Sequence, residues 1–200
     1  MNVLIADTTR ETLLLIFLKG NETFVRKSAD ANGRHTARLF SEIDALLKEA
    51  GADAQEIDFF AGAVGPGSYT GIRIGVCALT AMAKALKKPL VSVNSLEVFA
   101  YKNRGIEARI FLVDSGHDYY ALERTDGGGK KYFILNYDEL KKYKNAVKRD
   151  ENDCYADEII GLVKEKIANG EYGDTMVPFY MKKSQAGREY RGAADPGIVL

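Results

Sequence analysis

The chain begins with three short, mainly apolar stretches that are separated by polar turns. These stretches occupy positions 3–6, 12–18 and 23–26. Short apolar stretches between turn residues are typical of β-strands, so this part of the chain predicts a three-stranded meander. A helical pattern follows at 34–50, where apolar side chains recur on one face until Gly51 provides a stop signal.

Strands and helices then alternate along the chain. The pattern predicts strands at 57–64 and 90–93, a long helix at 70–87, and a shorter helix from residue 94 or 95 to about residue 101. Three strands followed by alternating helices and strands are the order of a ribonuclease H-like unit, a mixed sheet with helices on its faces. The expected fold class is therefore α/β.

The second half of the chain echoes the first. An apolar strand at 109–113 again ends in an acid, Asp114, and strands at 119–124 and 132–135 are joined by a glycine-rich hairpin at 126–129. This repetition indicates the duplication of one unit. A short helix, a short strand, a helix and an extended segment are then predicted at 138–143, 146–147, 156–168 and 178–180, respectively.

The duplication predicts two lobes that meet near residue 102. Residues 1–101 form the first lobe, which carries the two long helices. Residues 102–200 form a second lobe that is reduced, with a loose tail from about residue 192.

Charge and composition limit the classes of function. Lysine and arginine together number 28, as do aspartate and glutamate, so the formal net charge is zero. The chain as a whole therefore has no electrostatic attraction for nucleic acid, and any RNA contact needs a local basic patch or a partner. No apolar run approaches the length of a membrane span and no leader pattern is evident, so a cytoplasmic protein is expected.

The stretch from Val64 to Pro89 organises the rest of the chain. It passes from a strand through the turn 65–67 into the long helix, which Ser68 or Thr70 can cap. A glycine-rich turn at a helix start can hold an anion, but it can also be purely structural, and both alternatives stay open. The spacing fits neither a Walker loop nor a dinucleotide fingerprint.

One face of the long helix carries almost no side chain. Its members recur at helical spacing and are Gly71, Gly75, Ala78, Ala81 and Ala85. Glycine costs about 1 kcal/mol relative to alanine inside a helix, so two glycines on one stripe indicate close packing. The stripe either admits the backbone of a partner or packs on the chain's own sheet. Cys77 lies in the same apolar helix and is expected to be a buried thiol.

Few residues are candidates for chemistry. Asp7 and Asp114 end equivalent first strands, where they could face one cleft or simply close their own turns. A metal site at His35 would need a second ligand at Leu39, so metal binding is disfavoured. Basic residues at 182–191 predict a solvated tail, with contact to a partner or to RNA as the alternative.

The same stretch carries a resemblance to a known family. The sequences GPGSYTGIRIG at 65–75 and KPLVSVNSLE at 88–97 closely resemble the TsaB (YeaZ) family of bacterial tRNA threonylcarbamoyladenosine biosynthesis proteins. Residues 3–9, 35–39 and 178–182 are similar to further segments of that family. The resemblance is weak over 124–173, and no residue roles are transferred there.

The resemblance implies an actin/Hsp70-like ATPase (ASKHA) fold of two ribonuclease H-like lobes. It also implies a non-catalytic paralogue of TsaD, the ATP- and metal-dependent enzyme that modifies adenosine 37 of tRNAs reading ANN codons. The chain would then be a scaffold that binds and activates TsaD. In the paralogue two histidines hold the metal, whereas this chain has His35 and Leu39 at those positions.

The resemblance further implies which surfaces are used. The two long helices would pack on TsaD or on a second copy of the chain, and a TsaE-type ATPase would join nearby. The predicted interface residues are His35, Arg38, Leu39, Gly71, Arg73, Ile74, Gly75, Ala78 and Met82. The predicted nucleotide or anion contacts are Asp7, Gly67, Ser68 and Thr70. ATP or ADP and a metal ion are expected in the complex rather than on this chain alone, and tRNA is expected to bind only through the complex.

Two rival functions belong to other classes. A nucleotide-dependent hydrolase or phosphotransferase would use Asp7 and Asp114 and would be active alone. A glycoprotease-like metallopeptidase would bind metal at His35, and Leu39 disfavours it.

Overall fold

The structure is a computed structural model that describes residues 1–29, 35–150 and 155–182, without the side chains of residues 29 and 35–37. The strands in these ranges are β1 (Asn2–Asp7), β2 (Thr12–Lys19), β3 (Glu22–Ala29), β4 (Phe59–Gly65), β5 (Leu90–Asn94), β6 (Ile110–Asp114), β7 (Asp118–Arg124), β8 (Lys130–Asn136) and β9 (Ala146–Lys148). The α-helices are α1 (His35–Glu49), α2 (Tyr69–Leu86), α3 (Ser95–Lys102) and α4 (Ala156–Ala168). Short 3-10 helices cover Ala54–Glu56 and Tyr137–Lys142.

The strands form two sheets with the same internal order. The first sheet runs β3-β2-β1-β4-β5 and the second runs β8-β7-β6-β9. In each sheet the first three strands of the unit are antiparallel, and the next strand, β4 or β9, pairs in parallel with the first. The predicted duplication of a ribonuclease H-like unit, and with it the α/β fold of ASKHA type, is confirmed.

The second unit is smaller than the first in the described part of the chain. It has four strands rather than five. The connection from β8 to β9 contains the 3-10 helix Tyr137–Lys142, whereas α1 lies between β3 and β4. The segment predicted as a short helix at 138–143 therefore has a tighter winding, which is common in short connectors. The predicted loose tail lies outside the described residues.

Two strand boundaries differ from the predicted ones for clear reasons. β3 extends over Glu22–Ala29 because backbone pairing with β2 continues through its polar ends. β4 begins at Phe59, because a capping box at Asp53 and Glu56 closes a 3-10 helix just before it. Ile57 is nonetheless fully buried between these elements, as its apolar character predicts.

Helices cover both faces of the first sheet. One core cluster joins α1 and α2 to the sheet through side chains such as Leu39, Leu79 and Phe60. A second cluster joins α4 to the opposite face through Ile159 and Val163. Helix α4 thus comes from the second half of the chain but packs on the first sheet and on α3. The division of the chain into lobes at residue 102 stays a prediction.

The chain returns to the first sheet again after α4. Leu90 and Gly173 form an antiparallel bridge at the edge strand β5. Met176 is buried in the cluster beneath α1 and α2, and the Phe179 N–H donates to the Val64 carbonyl over 2.7 Å. The predicted extended segment at 178–180 is therefore held against the end of β4.

The glycines of α2 permit a close approach within the chain. A Cβ on Gly71 would lie 1.9 Å from the Thr8 carbonyl oxygen, and a Cβ on Gly75 would lie 2.3 Å from Thr8 Oγ1. The Thr8 hydroxyl donates to the Gly71 carbonyl over 2.7 Å. Gly71 and Gly75 therefore pack within the chain rather than against a partner. This is one of the two alternatives predicted for the stripe. Ala81 and Ala85, further along the stripe, are exposed.

We expect Gly71→Ala to destabilise the protein by about 2 kcal/mol. Overpacking against the backbone costs about 3 kcal/mol. The higher helix propensity of alanine offsets about 1 kcal/mol of this cost. The control is Gly105→Ala, since a Cβ there meets no atom within 4 Å. Urea denaturation of both variants gives the two free energies of unfolding. Equal values would contradict the close packing of α2 on Thr8.

Candidate functional site

A cleft of about 520 Å³ opens where the first strands of the two sheets end. Its lining from the first unit includes Gly67, Ser68 and the turn after β1, and its lining from the second unit includes Asp114 and Ser115. The cleft brings together the two chain segments that the sequence singled out as equivalent. Its charges balance, since two arginines and two acids line it, namely Arg10, Arg149, Glu11 and Asp114.

Asp7, at the end of β1, is almost completely buried, with 2% of its surface exposed. Its Oδ1 accepts hydrogen bonds from the Thr9 N–H and the Thr9 hydroxyl, each at 2.7 Å. Its Oδ2 accepts a hydrogen bond from the phenolic hydroxyl of Tyr155. The guanidinium of Arg10 lies 4.8 Å from the centre of the Tyr155 ring. Both carboxylate oxygens of Asp7 are therefore satisfied inside the chain.

Tyr155 was not identified from the sequence, although it completes the environment of Asp7. Burial, followed by the negative charge of Asp7, raises the pKa of the Tyr155 phenol well above its ordinary value. The phenol therefore remains a hydrogen-bond donor to the carboxylate. Tyr155 directly precedes α4, and nothing local in the sequence connects it with β1, which lies at the other end of the chain.

Asp114 occupies the equivalent position at the end of β6 and is also engaged. Its Oδ1 accepts hydrogen bonds from the Gly116 N–H at 2.8 Å and from the Tyr137 hydroxyl at 2.7 Å. Its Oδ2 lies 3.2 Å from Lys148 Nζ. Burial alone would raise the pKa of this carboxyl, but the hydrogen bonds from Tyr137, Gly116 and Lys148 hold it below its usual value. The hydrogen bond to Asp114 in turn raises the pKa of Tyr137 to about 12.

Each of the two aspartates accepts a hydrogen bond from the N–H two residues further on, at Thr9 and at Gly116. Each carboxylate therefore closes its own turn, which is one of the two roles predicted for these aspartates. A joint chemical role for Asp7 and Asp114 stays a prediction.

The turn that leads into α2 uses its own polar groups. Gly65 adopts φ 111°, which side-chain-bearing residues rarely adopt, and the peptide bond to Pro66 is cis. The Ser68 N–H donates to the Thr9 carbonyl at 2.7 Å, and the Ser68 hydroxyl caps α2 by accepting the Gly71 N–H at 3.2 Å. Of the two predicted caps, Ser68 is therefore the one used. Anion contacts of Asp7, Gly67, Ser68 and Thr70 stay a prediction.

The second candidate site is the outer surface of the two long helices. Helices α1 and α2 lie side by side on the first sheet. Among the exposed and half-buried side chains of these helices, we group nine as the helix-pair surface: Arg38, Phe40, Thr70, Arg73, Ile74, Cys77, Ala81, Met82 and Ala85. Phe40 is 56% exposed, an unusual environment for a phenylalanine.

The structure divides the predicted interface residues into two groups. Arg38 and Arg73 are exposed, and Ile74 and Met82 are half-buried on the helix-pair surface. The remaining described members are covered by the chain itself and are Leu39, Gly71, Gly75 and Ala78. The side chain of His35 lies outside the described residues, and the use of all these residues by a partner stays a prediction.

The prediction that Cys77 is buried was wrong. Its thiol is free and exposed. The reason is helical phase: Cys77 lies four residues after the exposed Arg73, on the face opposite the residues that pack on Thr8. The apolar composition of α2 concealed this, because small residues occur on both of its faces.

Arg73 and two tyrosines join the segment at Tyr180 to α2. The Arg73 guanidinium lies 4.1 Å from the centre of the Tyr69 ring, and its Nε donates to the Tyr180 hydroxyl at 3.2 Å. The two tyrosine rings are 4.7 Å apart.

The described residues contain no cluster of three histidine, cysteine or acidic side chains that could hold a metal ion. Within those ranges, no helix has the length and apolar character that a membrane crossing requires.

We expect Tyr155→Phe to lower the free energy of unfolding by about 2 kcal/mol, because the buried carboxylate of Asp7 loses a hydrogen bond that water cannot replace. Tyr137→Phe is the matched control. It also removes a tyrosine–aspartate hydrogen bond, but Tyr137 is 42% exposed, so its loss should cost about 0.5 kcal/mol or less. Urea denaturation compares the two variants, and equal losses would contradict the special environment of Asp7.

Comparison with known proteins places the chain in a family. Residues 28–186 match the family model of TsaD, described as tRNA N6-adenosine threonylcarbamoyltransferase. The tRNA threonylcarbamoyladenosine biosynthesis protein TsaB of Bacillus subtilis is 30% identical over 131 residues, which are 64% of this chain and 57% of the relative. The tRNA N6-adenosine threonylcarbamoyltransferase of Erythrobacter litoralis is 37% identical over 95 residues, which are 47% of this chain and 26% of the relative. The matched segments thus span just over half of the first relative and about a quarter of the second.

Solved structures agree on the fold. YeaZ from Pseudomonas aeruginosa has a TM-score of 0.70 and 20% identity, and the alignment covers 90% of this chain and 99% of that one. A second structure, described as an uncharacterized protein with similarity to peptidase YeaZ from Pseudomonas aeruginosa, has a TM-score of 0.73 with the same identity and coverage. These likenesses confirm the predicted fold. The chain therefore belongs to the family of TsaD, the tRNA N6-adenosine threonylcarbamoyltransferase, and the predicted resemblance to its TsaB (YeaZ) members is confirmed.

Proposed function

We propose that this chain is an accessory subunit in the formation of threonylcarbamoyladenosine at position 37 of tRNAs that read ANN codons. In this proposal it binds a TsaD-type catalytic subunit and holds it in an active conformation. Membership of the TsaD family and the similarity to proteins named TsaB support a role in this modification.

The environment of Asp7 is the main observation that supports an accessory rather than a catalytic role. Its carboxylate is buried, and both oxygens accept hydrogen bonds from Thr9 or Tyr155. A carboxylate that acts on nucleotide or metal must present at least one oxygen to the ligand. The rival hydrolase or phosphotransferase would have to displace Tyr155 from Asp7 first, which costs a buried hydrogen bond.

The helix-pair surface is the proposed contact with the catalytic subunit or with a second copy of the chain. Two adjacent helices with small outward residues, such as Ala81 and Cys77, allow partner helices to approach closely. Phe40 adds an exposed aromatic side chain, the type of residue that often dominates the energy of an interface. Arg73, held in place by Tyr69 and Tyr180, adds a pre-ordered charged group.

The remaining components are part of the same proposal. A TsaE-type ATPase joins the assembly near the helix-pair surface, and ATP or ADP and a metal ion act in the assembly with the catalytic partner. The chain needs no cofactor of its own for the scaffold role. Substrate tRNA reaches the assembly as a whole.

We expect Ala81→Arg to weaken association strongly, because its long charged side chain would hold the partner's helices away from α2. Ala81 is exposed, so the substitution disturbs no buried position. Size-exclusion chromatography with light scattering should show a one-to-one complex for the unmodified chain mixed with its TsaD-type partner. The variant should elute separately, with affinity at least about tenfold weaker. Ala168→Arg is the control, since Ala168 is an exposed alanine at the end of α4.

Two results would contradict the proposed interface. One is a complex that forms equally well with Ala81→Arg. The other is an equal loss of association in Ala81→Arg and Ala168→Arg. Phe40→Asp, on α1, provides a second variant on the same surface and should match Ala81→Arg.

A further inference from the structure

A small cleft at the far end of α2 concentrates positive charge. It has a volume of about 400 Å³. Three lysines line it, Lys84, Lys87 and Lys88, together with Tyr172 and a single acid, Asp174. The cleft lies at the opposite end of α2 from the turn at Gly65–Gly67, so it is separate from the cleft beside Asp114.

Backbone hydrogen bonds hold one wall of this lysine cleft in place. The Leu90 N–H donates to the Gly173 carbonyl at 2.7 Å, and the Gly173 N–H donates back to the Leu90 carbonyl at 2.9 Å. These bonds hold the segment that carries Tyr172 against the edge strand β5. The Tyr172 ring packs edge-on against Phe59 with 5.2 Å between ring centres, yet Tyr172 remains 50% exposed. One aromatic surface is thus held in place beside the lysines.

The described part of the chain offers the three lysines no acidic partner within ion-pair distance. Many basic side chains elsewhere have acidic partners, as Lys148 has Asp114 and Lys182 has Asp118. No ion pair joins Lys84, Lys87 or Lys88 to an acidic side chain among residues 1–29, 35–150 and 155–182. The cleft near Asp114 has balanced charges, whereas the lysine cleft has three lysines and one aspartate.

Lys87 places one of the three lysines directly at the C-terminal end of α2, in a backbone conformation that glycine usually adopts. Lys87 has φ 56°, and it is the one non-glycine residue with positive φ in the described ranges. Glycine is the usual residue in this position after a helix, because a side chain is strained in the left-handed conformation. Lysines near a helix C-terminus also complement the helix dipole, but that gain does not require a lysine in the left-handed conformation.

We propose that the lysine cleft binds the phosphate backbone of RNA, with the exposed face of Tyr172 stacking on a base. Ammonium groups neutralise backbone phosphates, and aromatic rings beside them add sequence-tolerant stacking. Because the net charge of the chain is zero, such a local patch is what a direct RNA contact needs. The inference rests on the proposed function, which makes tRNA the RNA in question.

The test measures the affinity of the complex with the TsaD-type partner for a tRNA transcript that reads an ANN codon. We expect the triple variant K84Q/K87Q/K88Q to bind about tenfold or more weakly at low salt, with a shallower dependence of affinity on salt concentration. The matched control is K141Q/K144Q/K164Q, which removes the same charge from exposed lysines outside this cleft. Fluorescence anisotropy over a salt series gives both quantities.

A single substitution separates RNA binding from a structural role. Lys87→Gly removes the charge and relieves the left-handed backbone, so the melting temperature should rise while affinity for tRNA falls. A lysine that served only to complement the helix end would give no loss of tRNA affinity. Tyr172→Ala should weaken binding without a change in the salt dependence, since no charge is removed.

The proposal fails if the triple variant binds tRNA as well as the control does. It also fails if both triple variants lose affinity equally, which would indicate only a general effect of net charge. Complex formation with the TsaD-type partner is measured on the same samples. An intact complex with unchanged tRNA affinity overturns the RNA contact alone, whereas a failure of the unmodified chain to form the complex overturns the proposed function.

Discussion

The close contact between α2 and the turn after β1 is the constraint on which the rest of the structure depends. Gly71 and Gly75 leave no room for a Cβ against Thr8, so the helix backbone touches the strand end directly. The same contact aligns Ser68 with the Thr9 carbonyl and the Thr8 hydroxyl with Gly71. It encloses the end of β1, where Asp7 lies, and it fixes which face of α2 remains outside. The helix-pair surface is the consequence of that orientation.

The two units have diverged around the same framework. In both, an aspartate ends the first strand and closes the following turn. In the first unit that aspartate is buried beneath Tyr155, which the second half of the chain supplies through α4. In the second unit Asp114 remains at the cleft and pairs with Lys148 and Tyr137. This shielding of one of the two equivalent acids is the observation that supports the proposed accessory role.

Most of the fold could be predicted from the sequence, because it depends on local patterns. The meander, the order of strands and helices, and the repeat beginning at residue 109 all follow from short apolar runs and turn residues. The contact of Tyr155 with Asp7 could not be predicted, since it joins residues 148 positions apart. The stripe of α2 was also ambiguous, because Gly71 and Ala81 look alike in sequence although one is covered by Thr8 and the other is exposed.

The most direct test of the accessory role is the transfer of a threonylcarbamoyl group to tRNA in a reconstituted system. The TsaD-type partner, the ATPase and the threonylcarbamoyl donor are held constant, and this chain is added or omitted. An accessory role predicts modified tRNA only when this chain and the catalytic partner are both present, with no ATP hydrolysis by this chain alone. Equal modification without this chain, or ATP turnover by the isolated chain, would contradict the accessory role.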